Sequence, residues 1–468
     1  MSMTETAVAT AESAATPLVI PHVIKGRLIE GGEIAHRGFS APAIDIDQLI
    51  WPRHELPPAL NLPTAEIIDF LVALGDRLQF DRNRWLQEAV DLSVNFSPLG
   101  RRITETAYRG IQGFFRRESL EFLVAQEIGA PLLDGWVPIT TPNGIGQVRA
   151  YPPRLVHVLA GNTPAVAAWT IIRGALSKGV HLLKMPANDL LTATAMLRTM
   201  AELDPDHPVT RSFSAVYWRG GDAAIESAIL RPQFFDKMAV WGGEASIRAA
   251  LRYAGPGFEI ISFDPKVSMS MLGREAYEND ATLDDAVERA ANDVAIFNQD
   301  ACAASRFIYA EGSTEQVDRF CERLAVALGQ DRATSSARAA PPPSDLQNEV
   351  NVLRTLEPMY RVWGDYTGSG LVIRSDDPVD FYPVSKTVNV VMVPSLSDAV
   401  GQANVATQTV GIFPGHRAKE LRDILVSYGV QRVVTLGEVA RAVEGMPHDG
   451  FYPIRRFMRW IVDETPAC

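Results

Sequence analysis

The middle of the chain alternates short apolar runs with helical patterns, and this feature limits the possible folds more than any other. It begins near Arg154 and continues to Phe263. Apolar runs lie at 155–159, 180–184, 213–218, 237–240 and 259–263, and helical patterns lie at 164–178, 190–201, 222–230 and 244–253. Such alternation is typical of a parallel sheet covered by helices on both faces. Ligands of these sheets bind at the carboxyl ends of the strands.

Patterns outside this block predict further elements. Apolar residues recur at spacings of three and four from Thr64 to about Ile128, which predicts a helical region. A strand-like stretch follows at 136–150, and an amphipathic helix is predicted at 281–297 before a strand at 306–310. Residues 333–344 are rich in Ala, Ser and Pro, so we expect an exposed loop there.

Composition and charge exclude several functions. The chain has 47% apolar and 21% charged residues, as in ordinary globular proteins. Its formal charge of -12 disfavours binding to nucleic acid or to an anionic membrane surface. No apolar stretch approaches the roughly 18 residues needed to cross a bilayer, and the first residues do not resemble a signal peptide. We therefore expect a cytoplasmic protein without a transmembrane segment.

The three cysteines indicate reduced thiols rather than disulfides or a metal site. Cys302, Cys321 and Cys468 are few and widely spaced, so we expect no metal centre. Cys302 lies between a predicted helix and a predicted strand, flanked by small residues in Asp300-Ala301-Cys302-Ala303-Ala304. A nucleophile needs such access, although a buried cysteine with no chemical role fits the pattern as well.

Three predicted strands end in residues that suit a nucleotide or an oxyanion. Gly161-Asn162 follows the first strand, where the Asn amide could donate to an oxyanion, or Asn162 or Thr163 could cap the next helix. Lys184 ends the second strand and could contact a ribose or simply be solvated. Gly242-Gly243 follows a later strand and could approach a pyrophosphate or form an ordinary turn. A G-x-G-x-x-G fingerprint is absent from the sequence.

In their order and spacing, these motifs resemble the aldehyde dehydrogenase superfamily. The matching segments are Gly161-Asn162-Thr163-Pro164, Lys184-Met185-Pro186, Trp241-Gly242-Gly243-Glu244 and Asn298-Gln299-Asp300-Ala301-Cys302. More narrowly, the chain resembles the bacterial long-chain acyl-CoA reductase family, of the bioluminescence fatty-acid reductase type. That resemblance is carried by Gly161-Asn162, Asp264-Pro265-Lys266-Val267-Ser268 and Pro447-His448-Asp449-Gly450, and it covers about residues 60–465.

The resemblance implies an α/β fold, aldehyde dehydrogenase-like, with two doubly wound domains and a helical N-terminal region. The implied divisions are a flexible tail at 1–17, a helical region with an NAD(P)-binding domain at 18–265, a catalytic domain at 266–440, and a C-terminal segment at 441–468 that returns to the site or to an oligomer interface.

The resemblance also implies roles for particular residues. Cys302 would be the nucleophile, and Asn162 with the Cys302 backbone N–H would form the oxyanion hole. The implied cofactor contacts are Ala160, Gly161, Lys184, Pro186, Val240, Trp241, Gly242 and Gly243. His448 and Asp449 could line the site. Because a thiolate is needed for attack, a lowered pKa is expected for Cys302.

One departure from the superfamily indicates the direction of the chemistry. Hydrolytic members have a glutamate where this chain has Ser262, and that glutamate activates water. Serine cannot act as this base, so the acyl-enzyme should survive hydrolysis. Asp264, two residues further on, is an alternative base whose side-chain direction the sequence does not give.

We therefore predict NAD(P)H-dependent reduction of an acyl thioester to the aldehyde. The acyl group, long-chain by family expectation, would come from acyl-CoA or from a carrier protein. NADPH is the expected cofactor and NADH is the alternative, because Asp189 lies near the expected ribose site. A homo-oligomer and an acyl-activating ligase partner are also expected. The rival hypotheses are a hydrolytic aldehyde dehydrogenase and a catalytically inactive partner subunit of such a ligase.

Overall fold

The computed structural model describes residues 18–36, 38–97, 99–142 and 144–465. The predicted tail at 1–17 and Cys468 lie outside the described residues. Two seven-stranded sheets organise this part of the chain, with two three-stranded sheets beside them.

The first large sheet contains the alternating pattern seen in the sequence. Its strands, in spatial order, are Glu259–Phe263, Lys237–Trp241, Arg154–Val158, Val180–Lys184, Phe213–Val216, His22–Ile24 and Arg27–Ile29. The first five strands are parallel, and the last two are antiparallel additions from the start of the chain. The connecting helices are Ala165–Leu176, Thr192–Leu203, Pro208–Arg211, Ala223–Ile229 and Glu244–Leu251.

The predicted helical region is confirmed and packs against this sheet. Its helices are Thr64–Arg77, Arg84–Ser93, Arg101–Gly110, Arg117–Glu127 and Ala130–Asp134, and a short helix, Ile46–Leu49, precedes them. The apolar faces of these helices enter one core with the helices of the sheet, so the region is not a separate unit. Each fully buried Leu, Ile or Phe side chain in such a core contributes about 1.5–3 kcal/mol relative to exposure.

The second large sheet begins where the chain leaves the first, between Phe263 and Val267. Its strands, in spatial order, are Arg361–Asp365, Gly370–Ser375, Thr387–Val393, Ser305–Glu311, Val267–Leu272, Thr407–Phe413 and Arg432–Thr435. All pairs are parallel except the one made by Arg361–Asp365. The helices of this part are Asp280–Ala295, Thr314–Leu328, Ser344–Arg354, Leu396–Ala399 and Ala418–Ser427.

The two small sheets join distant parts of the chain. One contains Leu18–Val19, Phe39–Ala41 and Ile34–His36. The other contains Arg459–Asp463, Gly144–Tyr151 and Val137–Thr141, so the predicted strand-like stretch at 136–150 is a hairpin that receives a strand from the end of the chain. The helix Pro453–Phe457 precedes that last strand.

The loop at 333–344 differs from its prediction. It lacks helix and strand up to Ser344, but the expectation of full exposure is wrong at Ser335, which is completely buried. The backbone N–H of Phe297 donates to the Thr334 carbonyl at 2.9 Å, and Lys386 Nζ donates to the Ser336 carbonyl at 2.8 Å. These backbone contacts leave no trace in composition, and they bring the loop against the segment that precedes Cys302.

Candidate active site

The loop that carries Cys302 begins where a long helix ends early. The helix Asp280–Ala295 stops before the predicted residue 297 because Phe297, Asn298 and Gln299 have positive φ values of 49°, 53° and 74°. Non-glycine residues rarely adopt this left-handed conformation, so surrounding contacts must hold it. Asn298 Oδ1 accepts a hydrogen bond from the Ser336 backbone at 2.9 Å.

Gln299 fixes the other side of this loop. Its buried side-chain amide donates to the Thr387 carbonyl at 2.7 Å and to the Ser305 carbonyl at 3.3 Å. Ser268 Oγ donates to the Cys302 carbonyl at 2.9 Å. The loop is therefore tied to the amino-terminal ends of three neighbouring strands of the second sheet, and it presents Cys302 on an exposed turn.

The environment of the Cys302 thiol raises its pKa, so the expected lowered pKa is wrong. The residue is open to solvent, yet loss of water around the sulfur raises the thiol pKa, and the nearby Asp449 carboxylate acts in the same direction. The side-chain amide of Gln408 opposes the rise by donating to the sulfur. At rest the site therefore favours a neutral thiol.

Cys321 differs from Cys302 in every respect that bears on reactivity. It is fully buried in the helix Thr314–Leu328, and burial raises its thiol pKa well above the usual value. A buried neutral thiol is chemically inert. Cys302 is therefore the one cysteine among the described residues that a substrate can reach.

The loop with Gly161 and Asn162 follows the strand Arg154–Val158. A Cβ at Gly161 would lie 2.2 Å from Asn188 Oδ1, so a side chain there would displace the neighbouring loop. Pro164 occupies the cap position of the next helix without a side-chain bond, and Thr163 Oγ1 accepts from the Ala165 backbone N–H at 3.3 Å, so Asn162 does not cap this helix. Within the described ranges the half-buried Asn162 side chain makes no hydrogen bond, so its N–H groups are available. Ala160 is half-buried beside it.

Lys184 ends the strand Val180–Lys184 in an aromatic and acidic surrounding. Its Nζ lies 5.8 Å from the Tyr217 ring centroid and 5.6 Å from that of Trp218. Burial lowers the Lys184 pKa, and the charge of Glu226 opposes that change. Its ammonium makes no hydrogen bond to any residue in the described ranges. Pro186 lies half-buried just beyond the strand.

The Asp189 carboxylate accepts hydrogen bonds from Thr192 and not from Lys184. Its Oδ1 accepts from the Thr192 backbone N–H at 3.1 Å and from Thr192 Oγ1 at 2.5 Å. Burial raises the Asp189 pKa, and the bonds to Thr192 oppose the rise. Asp189 therefore holds Thr192, the first residue of the helix Thr192–Leu203, from the loop before it.

The strand Lys237–Trp241 presents the remaining predicted cofactor residues. Val240 is completely buried, so its side chain belongs to the core and only its backbone is available to a ligand. Trp241 stacks on Phe263 with ring centroids 3.6 Å apart and planes at 3°. Gly242 and Gly243 lead into the helix Glu244–Leu251, and a Cβ at Gly243 would meet open space.

His448 packs onto this aromatic pair from the C-terminal segment. Its ring makes edge contacts with Trp241 at 5.2 Å, Phe263 at 5.4 Å and Trp169 at 5.7 Å between centroids. Burial lowers the His448 pKa to about 3, with help from the charge of Arg173. A neutral imidazole among aromatic rings is a packing group, so His448 lines the site without titrating near neutral pH.

The side chain of the next residue, Asp449, contacts the second sheet and not the aromatic rings. Its Oδ1 accepts from Gln408 Nε2 at 2.7 Å, and its charge acts on the Cys302 thiol. His448 and Asp449 thus connect the carboxyl edge of the first sheet with the amino edge of the second. Asp264 is exposed and lies close enough to Asp449 to raise its pKa further.

Sequence reasoning missed three residues around these groups. Gln408 lies between Asp449 and Cys302, Arg173 lies under the C-terminal segment, and Arg219 lies beside Tyr217 near Lys184. Arg173 and Trp169 are one helical turn apart, which would have suggested a shared face, but neither Gln408 nor Arg219 belongs to any recognisable motif.

Comparison with known proteins agrees with the sequence motifs. A family model described as Acyl-CoA reductase (LuxC) matches residues 59–460. The chain belongs to this family. It is therefore an enzyme, an acyl thioester reductase, and the predicted resemblance is confirmed.

Similar proteins in bacteria carry a consistent description. A long-chain acyl-protein thioester reductase of Vibrio harveyi is 26% identical over 96% of this chain and 93% of its own length. The protein of the same description from Photorhabdus luminescens is 31% identical over 74% of this chain and 70% of its own length.

Solved structures confirm the predicted fold. A lactaldehyde dehydrogenase superposes with a TM-score of 0.71 at 15% identity, covering 96% of this chain and 99% of the other. The NADP-dependent glyceraldehyde-3-phosphate dehydrogenase from Bacillus halodurans C-125 gives 0.70 at 13% identity, covering 95% and 99%. The chain thus has the aldehyde dehydrogenase-like fold. No helix within the described ranges is long and apolar enough to span a membrane.

Proposed function

We propose that this chain reduces a long-chain acyl thioester to the aldehyde with NADPH, through an acyl thioester on Cys302. The observation that carries the proposal is the contrast between the two described cysteines: Cys302 is exposed between the two sheets, whereas Cys321 is sealed in the core. Membership of the acyl-CoA reductase family supports the same chemistry. The similar bacterial proteins, described as acting on long-chain acyl-protein thioesters, support the choice of acyl group.

Cys302 is the nucleophile in this proposal. Its sulfur attacks the thioester carbonyl, and the carrier thiol leaves as the new thioester on Cys302 forms. The available amide of Asn162 and the backbone N–H of Cys302 stabilise the oxyanion during attack. Collapse of the later thiohemiacetal releases the aldehyde and returns the Cys302 sulfur.

Protection of the acyl-enzyme from water is the second part of the proposal. Ser262, at the end of the strand Glu259–Phe263, offers no carboxylate to activate water. Asp264 is exposed, and Asp449, not Asp264, is the carboxylate whose charge acts on the Cys302 thiol. With no carboxylate at position 262 to activate water, hydrolysis loses a factor of about 100–10,000, so the thioester persists until it is reduced.

The residues at the edge of the first sheet fit a dinucleotide. Lys184 is a half-buried ammonium that lacks an acceptor within the described ranges, and a bound ribose or phosphate would supply one. Open space in front of Gly243 suits a pyrophosphate at the start of a helix. When bound, NADPH supplies the hydride that reduces the acyl group on Cys302.

Two observations favour NADPH over NADH. The Oδ1 atom of Asp189 accepts from Thr192, so it is not free to accept from the ribose hydroxyl that NADH would present there. Arg219 is an exposed cation near Tyr217, on the same edge as Lys184, and within the described ranges it forms no ion pair. A ribose 2′-phosphate would lie between these two cations.

The acyl donor and the assembly belong to the same proposal. Acyl-CoA or an acyl group on a protein, such as an acyl-activating ligase, would deliver the thioester.

We infer a homo-oligomer because Ile139, Trp460 and Val462 lie on one face of the small sheet and are 44%, 47% and 58% exposed. Few and widely spaced cysteines support a cytoplasmic location.

The experiment combines turnover with trapping. The purified chain is incubated with acyl-CoAs of different lengths and either NADPH or NADH, and cofactor absorbance and aldehyde are followed. Without cofactor, mass spectrometry locates the acyl group. We expect aldehyde formation and an adduct on Cys302, both lost in Cys302→Ala and both retained in the matched Cys321→Ala. Oxidation of free aldehydes to acids without CoA, and no acyl adduct, would instead support a hydrolytic enzyme.

The cofactor preference has its own test. Arg219→Ala and Lys184→Met should raise the KM for NADPH more than the KM for NADH. An equal rise for both cofactors would contradict the assignment of a phosphate site to these cations.

A further inference from the structure

Asp449 is held in a tight turn that fixes where its carboxylate points. The backbones of His448 and Phe451 exchange hydrogen bonds of 2.9 and 3.1 Å around Asp449 and Gly450. Both turn residues have positive φ, 49° and 85°. Asp-Gly is a favoured pair for such two-residue turns. The turn therefore presents Asp449 as a defined group and not as a freely moving surface carboxylate.

Gln408 links this carboxylate to the nucleophile. It lies in the strand Thr407–Phe413. In the sheet, the strand Val267–Leu272 separates this strand from Ser305–Glu311, which follows the Cys302 loop. Its Nε2 donates to Asp449 Oδ1 at 2.7 Å. The backbone N–H of the next residue, Thr409, donates at 3.3 Å to Ser268 Oγ, the hydroxyl that donates to the Cys302 carbonyl at 2.9 Å. Asp449 Oδ2 has no hydrogen-bond partner within the described ranges. One carboxylate oxygen is thus anchored and the other is available.

Burial keeps Asp449 from being a strongly acidic carboxyl. Burial raises its pKa, and the charge of Asp264 adds to the rise. The hydrogen bond from Gln408 and the charges of Lys266 and Arg173 oppose it. A carboxyl whose proton affinity is raised toward that of a thiol can both take and return a proton.

We propose that Asp449 is the proton-transfer residue for Cys302. As the sulfur attacks the acyl carbon, the S–H bond breaks and its proton moves to the free oxygen of Asp449. The bond between the acyl carbon and the carrier sulfur then breaks, and the leaving thiolate takes that proton. The exchange neither consumes nor generates an oxidant. His448 is not the base, because its ring is packed between aromatic groups and burial lowers its pKa to about 3, so it would hold the proton poorly.

This proposal rests on the proposed function, since it assumes that Cys302 is acylated. Two rates separate it from a structural role: acylation of Cys302 in a single turnover without cofactor, and alkylation of Cys302 by iodoacetamide as a function of pH. In Asp449→Asn we expect acylation at pH 7 to slow about 100-fold or more. The alkylation profile should move to lower pH, because a charge that raises the thiol pKa has been removed.

These opposite changes identify proton transfer. A purely electrostatic role would speed both reactions in Asp449→Asn, and a loss of local structure would slow both; either result overturns the proposal. Asp449→Glu should recover part of the acylation rate, which provides a second reading if the amide variant folds poorly. If Asp264→Asn slows acylation and Asp449→Asn does not, the role belongs to Asp264. Absence of any adduct on wild-type Cys302 would instead refute the proposed function itself.

Discussion

Replacing Arg173 by methionine should destabilise the protein more at pH 8 than at pH 6. Arg173 is 2% exposed, and its guanidinium donates to Glu444 at 3.2 Å. Burial raises the pKa of Glu127 to about 7, and the Arg173 charge limits that rise. Glu127 Oε2 also accepts from the Ile454 backbone N–H at 2.5 Å, so the cluster ties the C-terminal segment to the helix Arg117–Glu127. Removing one partner of a buried ion pair typically costs about 3–5 kcal/mol.

The pH-dependent part of this loss follows from Glu127. With its pKa raised from 4.5 to about 7, the folded protein holds the proton more tightly than the unfolded chain, so ionisation of Glu127 opposes folding above pH 4.5. The resulting loss in the free energy of unfolding reaches about 3.4 kcal/mol above pH 7, at about 1.36 kcal/mol per pKa unit. Without Arg173 the pKa rises further and Glu127 stays protonated at pH 8, which adds about 1.4 kcal/mol. At pH 6 Glu127 is protonated in both proteins, so this difference vanishes.

Other titratable groups near Arg173 do not reverse the direction of this pH dependence. Burial also raises the pKa of Glu444, which adds to the loss at pH 8. His448, with its pKa at about 3, is neutral at both pH values.

Urea unfolding at pH 6 and pH 8, followed by fluorescence, measures the free energy of unfolding of the two proteins. Equal losses at the two pH values would refute the reasoning, because the missing cation would then not be compensating buried carboxylates.

A surface arginine provides the control. Arg101 pairs with Asp91 at 2.7 Å, but the two side chains are 53% and 62% exposed. Exposed pairs of this kind contribute about 0–1 kcal/mol. Arg101→Met should therefore change the free energy of unfolding little, and similarly at both pH values.

Three further predictions concern the site. Asn162→Ala should lower kcat/KM for the acyl thioester about 100- to 1,000-fold, as loss of an oxyanion donor does, with an unchanged melting temperature; a change confined to KM would argue against that role. Ser262→Glu should raise the ratio of free acid to aldehyde, measured chromatographically, because it adds a base beside the acyl-enzyme; an unchanged ratio would mean that this strand end does not face the thioester. Asp189→Ala should lower the melting temperature through loss of its hydrogen bonds to Thr192 while the NADPH to NADH preference stays the same, whereas a changed preference would return Asp189 to the ribose site.

Much of the first sheet could be predicted because its information is local. The strands Val180–Lys184 and Glu259–Phe263 have the predicted bounds. Each is a short apolar run between turns, and burial on both faces requires that pattern. The strands His22–Ile24 and Arg27–Ile29 were not predicted. They are short, and the first pairs with Phe213–Val216, which is far away in the chain.

The functional residues were predictable to a different extent. Cys302 and Asn162 came from the order of motifs along the chain, and their roles remain proposals. That neither Asn162 nor Thr163 is the helix cap needed the structure, because both side chains have the right chemistry and yet Pro164 occupies the cap position. Gln408 could not be found at all, since a glutamine near the start of a strand is chemically unremarkable until its neighbours are known.

The sequence by itself determined the fold class, the family and the set of residues able to carry the chemistry, because apolar periodicity and motif order are properties of neighbouring residues. The tertiary structure decided the state of the nucleophile. The pKa of Cys302 depends on how much water is removed from the sulfur, on the charge of Asp449 and on the side-chain amide of Gln408, and these two residues belong to distant parts of the chain. Desolvation and Coulomb interactions act through space, so the raised pKa, opposite to the expected one, became visible only after folding brought these segments together.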